Sequence, residues 1–159
     1  MKFSDLFRKW GLQNIKLNVG FAELEFAPTE DDQTAAWDMY VELLTRITTQ
    51  KLPDGFGDEA TALESVYSIF PTTREILKTK GRQATEFTKV AIIVLNQVVR
   101  PFTAKWHKKQ IEDAFFHVEE CVEFRNELRV LQNQLKSYSR LLADMAKVED
   151  LTELDTEEI

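Results

Sequence analysis

The final third of the chain carries an uninterrupted 3-4 apolar repeat: Cys121, Phe124, Leu128, Leu131, Leu135, Tyr138, Leu142 and Met145. Steps of three and four place these side chains on one stripe of a single α-helix. No Gly or Pro breaks the run. A helix of roughly 35 residues is about 50 Å long at 1.5 Å per residue, so it must lie along partner helices, in its own chain or another. A neighbouring helix of about 16 residues is too short to cover it all. Phe124, Leu128, Leu131, Leu135, Tyr138 and Leu142 are therefore candidates for self-association.

Upstream, the period changes several times. Phe3, Leu6, Phe7 and Trp10 predict a short helix ending at Gly11. Ile15, Leu17 and Val19, then Ala22, Leu24 and Phe26, alternate with polar residues. Period two predicts extended chain over 15–26, either a β-hairpin turning at Gly20 or a single strand. Pro28, Thr29 and the acidic run Glu30-Asp31-Asp32 mark a helix start. Its face, Ala36, Trp37, Tyr40, Leu43, Leu44 and Ile47, predicts a helix to about Gln50 with both rings in the core. Pro53, Gly55 and Gly57 make a loop, after which Asp58 suits a helix cap. Pro71 is expected to kink or break the following helix near Phe70, and Gly81 to end it.

Residues 84–99 are rich in Val and Ile and predict a central helix buried on nearly all sides. Pro101 is expected to interrupt it, with Arg100 to Lys109 as a bend before the long helix. The acidic tail, 149–159, is expected either to fray or to dock as a peptide. The fold class that follows is mainly α: a four- to five-helix bundle with a long C-terminal helix and a small N-terminal β-hairpin or strand. It forms one domain over residues 1–148.

The formal net charge of −7 conceals a segregation, because Arg74 to Lys109 carries nine cations against Glu75 and Glu86 alone. Such a segment either pairs with the acidic flanks of its own chain or offers a basic face to an anion. The candidate anion or nucleic-acid contacts are Arg74, Lys78, Lys80, Arg82, Arg100, Lys105, Trp106, His107, Lys108 and Lys109. Cations beside aromatic rings suit phosphate contact with base stacking. The stretch from Arg100 to Lys109 also reads as a helix–helix corner, with Phe102 and Trp106 inserted in the core and Lys108 and Lys109 in water.

Signatures of catalysis are lacking. The one cysteine, Cys121, forms no intramolecular disulfide and sits on the apolar stripe as a small hydrophobe. His107 and His117 lie ten residues apart without a helical metal-binding spacing. Neither a nucleophile elbow nor a Gly-rich phosphate loop is present. No catalytic residue, metal or cofactor is expected. Glu64 and Arg74 could pair across the Pro71 kink, or both could be solvated. No apolar run approaches the roughly 18 residues that span a membrane. Residues 1–11 lack the apolar core and cleavage site of a secretory signal. A cytoplasmic chain without membrane contact is the expectation.

Three blocks carry a resemblance: Ala36-Trp37-Asp38-Met39-Tyr40, Thr61-Ala62-Leu63-Glu64-Ser65-Val66-Tyr67, and the run from Leu95 to His107. Together they resemble blocks in uncharacterised bacterial helical proteins encoded near antiphage-defence genes, over residues 33–107. The resemblance implies an accessory role in defence and no catalytic residues. The expected function is a non-enzymatic protein-interaction or regulatory module, an accessory subunit of a bacterial defence complex. Its expected partners are another protein and further copies of itself through the C-terminal helix. The alternative is nucleic-acid or nucleotide-phosphate binding through segment 74–109.

Overall fold

Thr29 and Asp32 set the start of the first long helix. The Thr29 hydroxyl accepts from the Asp32 amide (3.4 Å), and the Asp32 carboxylate accepts from the Thr29 amide (2.8 Å). This reciprocal capping box satisfies two donors that the helix leaves orphaned. The computed structural model describes residues 1–154. Its elements are α1 (Phe3–Lys9), α2 (Val19–Ala22), α3 (Glu30–Leu44), α4 (Glu59–Tyr67), α5 (Ile69–Lys80), α6 (Thr85–Val94), α7 (Arg100–Ile111) and α8 (Val118–Ala146). Ser68 joins α4 to α5 in helical conformation, and a π-helical turn at Leu95–Val99 joins α6 to α7. The bundle thus consists of four rods: α3, α4–α5, α6–α7 and the 29-residue α8.

Asp58 caps α4 as its position predicts, accepting from the Thr61 amide (2.9 Å) and hydroxyl (2.8 Å). The Thr61 amide, then its hydroxyl, hold the Asp58 carboxyl below the usual carboxylate range. A lowered folded pKa adds stability above the unfolded value that is lost as pH falls through the folded one. Asp58→Asn should therefore destabilise the protein at neutral pH, with the difference closing below about pH 4. Melting curves of both proteins across that range check this, and a pH-independent difference would contradict it.

α3 lies along α8 and touches α5 and α6, while α4 packs on α7. Met39, Tyr40 and Leu43 of α3, Leu63 and Val66 of α4, and Phe87 and Val90 of α6 fill the core. The α8 stripe faces them. Phe124, Leu128, Leu131, Leu135, Tyr138 and Leu142 are all at most 3% exposed within their own chain. No single helix does this; α3, α4, α7, the π-turn and the turn before α8 each cover a section. Self-association through those six residues would require the bundle to open.

The β element at 15–26 does not form. Among the described residues the chain has an isolated bridge, Lys2 to Glu25, and no strand. The Gln97 side-chain amide replaces a neighbouring strand: it accepts from the Lys16 amide (2.7 Å) and donates to its carbonyl (2.8 Å). Asn18 then caps α2 by accepting from the Phe21 amide (2.8 Å), and the short helix breaks the alternation.

Other boundaries also differ from expectation. α3 stops at Leu44, because the Leu43 carbonyl accepts the hydroxyls of Thr48 (2.9 Å) and Thr49 (2.8 Å). Gln132 of α8 secures that turn by donating to the carbonyls of Ile47 and Gln50, both at 2.7 Å. Tyr40 is buried, but Trp37 is 44% exposed over a groove between α3 and α5. Ile92 of α6 is likewise 46% exposed, so that helix is not buried on all sides. Pro71 falls in the first turn of α5, where a missing N–H is tolerated, and the interruption moves to Ser68. Pro101 does not end the helix: it enters the first turn of α7 after the π-turn, which loosens the backbone where the ring would clash. The tail docks in part, since the Tyr40 hydroxyl accepts from the Leu151 amide (2.6 Å) and donates to the Glu149 carbonyl (3.1 Å). Residues 155–159 of the predicted acidic tail lie outside the described residues.

Candidate functional site

The basic segment does not form one face. Lys105 and Lys109 lie four apart on α7, opposite Glu120, Glu123 and Glu127 on α8, all spaced for one helix face. Lys105 pairs with Glu123 (3.0 Å) and Glu127, and Lys109 with Glu120 (2.7 Å) and Glu123 (3.8 Å). The Glu127 hydrogen bond raises the Lys105 pKa, the Glu120 bond raises that of Lys109, and Lys105 in turn holds the Glu123 carboxyl down. Trp106, fully buried between these lysines, donates its indole N–H to Glu127 (2.6 Å). Its ring stacks on Phe115 (5.9 Å) and meets Phe124 edge-on (5.1 Å). No base can stack on it, so the base-stacking role read from the sequence is withdrawn. Phe102 is buried too, as the corner reading expects. Arg100 to Lys109 is no bend, however: it lies within the continuous helix α7, and the turn comes after Ile111. Of the two lysines placed in water, Lys109 is ion-paired.

Of the remaining candidates, Lys80 pairs with Asp38 (3.1 Å). Lys78, Arg82 and Lys108 are exposed. Arg74 and Arg100 both lie over the ring of Phe70, at 5.9 and 4.7 Å from its centroid. His107 meets the neighbouring Tyr67 ring edge-on at 5.1 Å. Glu64 and Arg74 are both exposed and do not pair.

A different surface emerges where α7 turns into α8. Asp113 takes a left-handed φ of 60°, and a 3-10 turn, Ala114–Phe116, follows. Asp is among the side chains that tolerate this conformation. The turn sends Phe115 inward against Phe124 (5.0 Å) and leaves its neighbours outside. Phe116 is 85% exposed, Ile111 83%, Val118 79% and Val122 54%. Glu112, Asp113 and Glu119 stand among them, exposed and without an ion-pair partner among the described residues. Arg125, one turn beyond Val122, donates to the carbonyls of Pro53 (3.1 Å) and Phe56 (3.4 Å) and pairs with Glu59 (3.0 Å). That anchor brings the exposed Phe56 to the same end of α8.

Sequence reasoning passed over this corner because Val118 and Val122 lie off the 3-4 stripe. The available signal was Ile111 and Phe116 flanking an acidic turn, where a solvated loop calls for polar residues. Cys121, half-buried beside the corner, donates its thiol to the Phe115 carbonyl (3.3 Å). Burial, then Glu59, push its pKa up, which favours the thiol over the thiolate. Among the described residues no helix is long and apolar enough to cross a membrane. Comparison with protein-family models, curated proteins and solved structures returns no match.

Proposed function

We propose that the protein is a non-enzymatic interaction module that docks another protein through the α7–α8 corner. The observation that supports this reading is the exposure of Ile111, Phe116, Val118 and Val122 within one rigidly packed turn. Contiguous exposed apolar surface rimmed by polar groups characterises interaction sites. Packing of Phe115 on Trp106 and Phe124 preorganises the corner, so little ordering entropy opposes binding. The rim of Glu112, Asp113 and Glu119 selects a partner whose apolar contact is flanked by Lys or Arg. A second copy fits poorly, because the same acidic rim and a net charge of −7 would meet themselves. On the resemblance carried by residues 33–107, the partner is a component of a bacterial defence complex in the cytoplasm.

Photo-crosslinking from position 116 in the native host tests the proposal. A discrete adduct with a basic-rimmed protein is expected from position 116 and not from exposed Val19. Phe116→Asp with Val118→Asp should weaken that complex by at least about 2 kcal/mol. The same pair should change folding stability by less than about 0.5 kcal/mol. An adduct of twice the chain mass, or equal adducts from both positions, would overturn the proposal.

A further inference from the structure

Five of the eight arginines, Arg8, Arg46, Arg125, Arg129 and Arg140, reach a carboxylate of their own chain. Among the described residues Arg74, Arg82 and Arg100 do not, and two of these three converge on one ring. Tyr67, Phe70 and Arg74 follow at three and four residues along the α4–α5 rod. Arg100 and His107 lie seven apart on α7, so each set occupies one helix stripe. The stripes face each other rung by rung: Tyr67 against His107 (5.1 Å) and Phe70 against Arg100 (4.7 Å). Arg74 closes the end, over the same Phe70 ring at 5.9 Å. Those two distances put the guanidinium carbons within about 11 Å of each other.

The Arg100 head is already oriented. Its Nε donates to the Asn96 side chain (3.1 Å), which leaves both terminal nitrogens as a free fork. The π-turn Leu95–Val99 immediately precedes it and sets the register that brings Arg100 onto Phe70. Such single-turn π insertions recur at functional sites. Two like charges over a buried ring, with no counter-charge among the described residues, form a site that an oxyanion completes. Beside them Tyr67 is 45% exposed, its ring within about 10 Å of the Arg100 guanidinium. That spacing suits a base held away from its own phosphates.

We propose that Arg74 and Arg100 clamp the phosphate of a nucleotide whose base stacks on the exposed Tyr67 ring, with His107 meeting that ring edge-on. This site is separate from the α7–α8 corner and does not depend on it. Lys105, Lys109 and Trp106 take no part, because carboxylates and the core already hold them.

NMR titration of the intact protein with ATP, and separately with inorganic phosphate, tests the assignment. ATP should shift the Arg74 and Arg100 Nε–Hε signals together with the Tyr67 and His107 ring signals. Inorganic phosphate should shift the arginine signals alone. Arg74→Gln and Arg100→Gln should each raise the Kd for ATP about tenfold. Arg82→Gln, equally unpaired but away from Phe70, should leave it unchanged. All three side chains are exposed, so the variants should melt with the wild type. Absence of shifts at about 10 mM ATP would overturn the site, since that bounds binding to weaker than the millimolar range. Equal loss in Arg82→Gln would reduce it to diffuse attraction, and arginine shifts without ring shifts would remove the base from the proposal.

Discussion

Trp106→Ala should destabilise the protein by about 3–5 kcal/mol, the range for removing a fully buried large aromatic side chain. Trp106 is 0% exposed and meets Phe115 and Phe124; those two rings touch each other, and Phe124 also meets Phe102. Its removal opens a void at the centre of that cluster and takes away the indole donor to Glu127. Lys105 still neutralises Glu127, so the lost packing dominates the effect. For a chain of this size the melting temperature should fall by about 10 °C. Trp106→Phe retains most of the volume and should cost less than half as much. Urea unfolding of the three proteins measures both, and a loss below about 1 kcal/mol for alanine would contradict the packing described.

Asp32→Ala should cost about 3 kcal/mol, because one buried carboxylate starts two helices. One of its oxygens closes the Thr29 box on α3 (2.8 Å). The other accepts from the Phe87 amide (2.9 Å) in the first turn of α6, whose own N-cap, Ala84, has no capping side chain. Alanine leaves the Thr29 and Phe87 donors without their acceptor, in a site where Asp32 is 0% exposed. Thr29→Ala removes only the local half and should cost about 1 kcal/mol. Hydrogen exchange separates the two: Phe87 should lose protection in Asp32→Ala and keep it in Thr29→Ala. Equal loss at Phe87 in both would remove the α3–α6 link from the account.

Asp32 shows where legibility ended. Its capping of α3 was readable, because Thr29 and the acidic run are neighbours in sequence. Its capping of α6 was not, since the acceptor and Phe87 are 55 residues apart. The N-terminal segment failed for the same reason. Ile15, Leu17 and Val19 alternate as a strand does, but the groups paired with Lys16 belong to Gln97, 81 residues away. Period two is a pattern along one segment, and it does not record what takes the backbone hydrogen bonds. Without a partner strand Val19 turns outward, while Ile15 and Leu17 stay half-buried.

The sequence by itself determined the helices that end on local chemistry: α4 on Asp58, α5 on Gly81, and α8 on a stripe repeated every three or four residues. These depend on contacts within one or two turns, where chain connectivity supplies the proximity. Only the tertiary structure decided which charges and apolar side chains remained free. Lys105 is neutralised by Glu123, 18 residues away, while Arg74 and Arg100 meet no carboxylate among the described residues. The regular stripe from Phe124 to Leu142 was buried by several short elements, and the irregular Ile111, Phe116, Val118 and Val122 stayed in solvent. Exposure depends on what packs against a side chain from elsewhere in the chain, and residue order along one element carries no record of that.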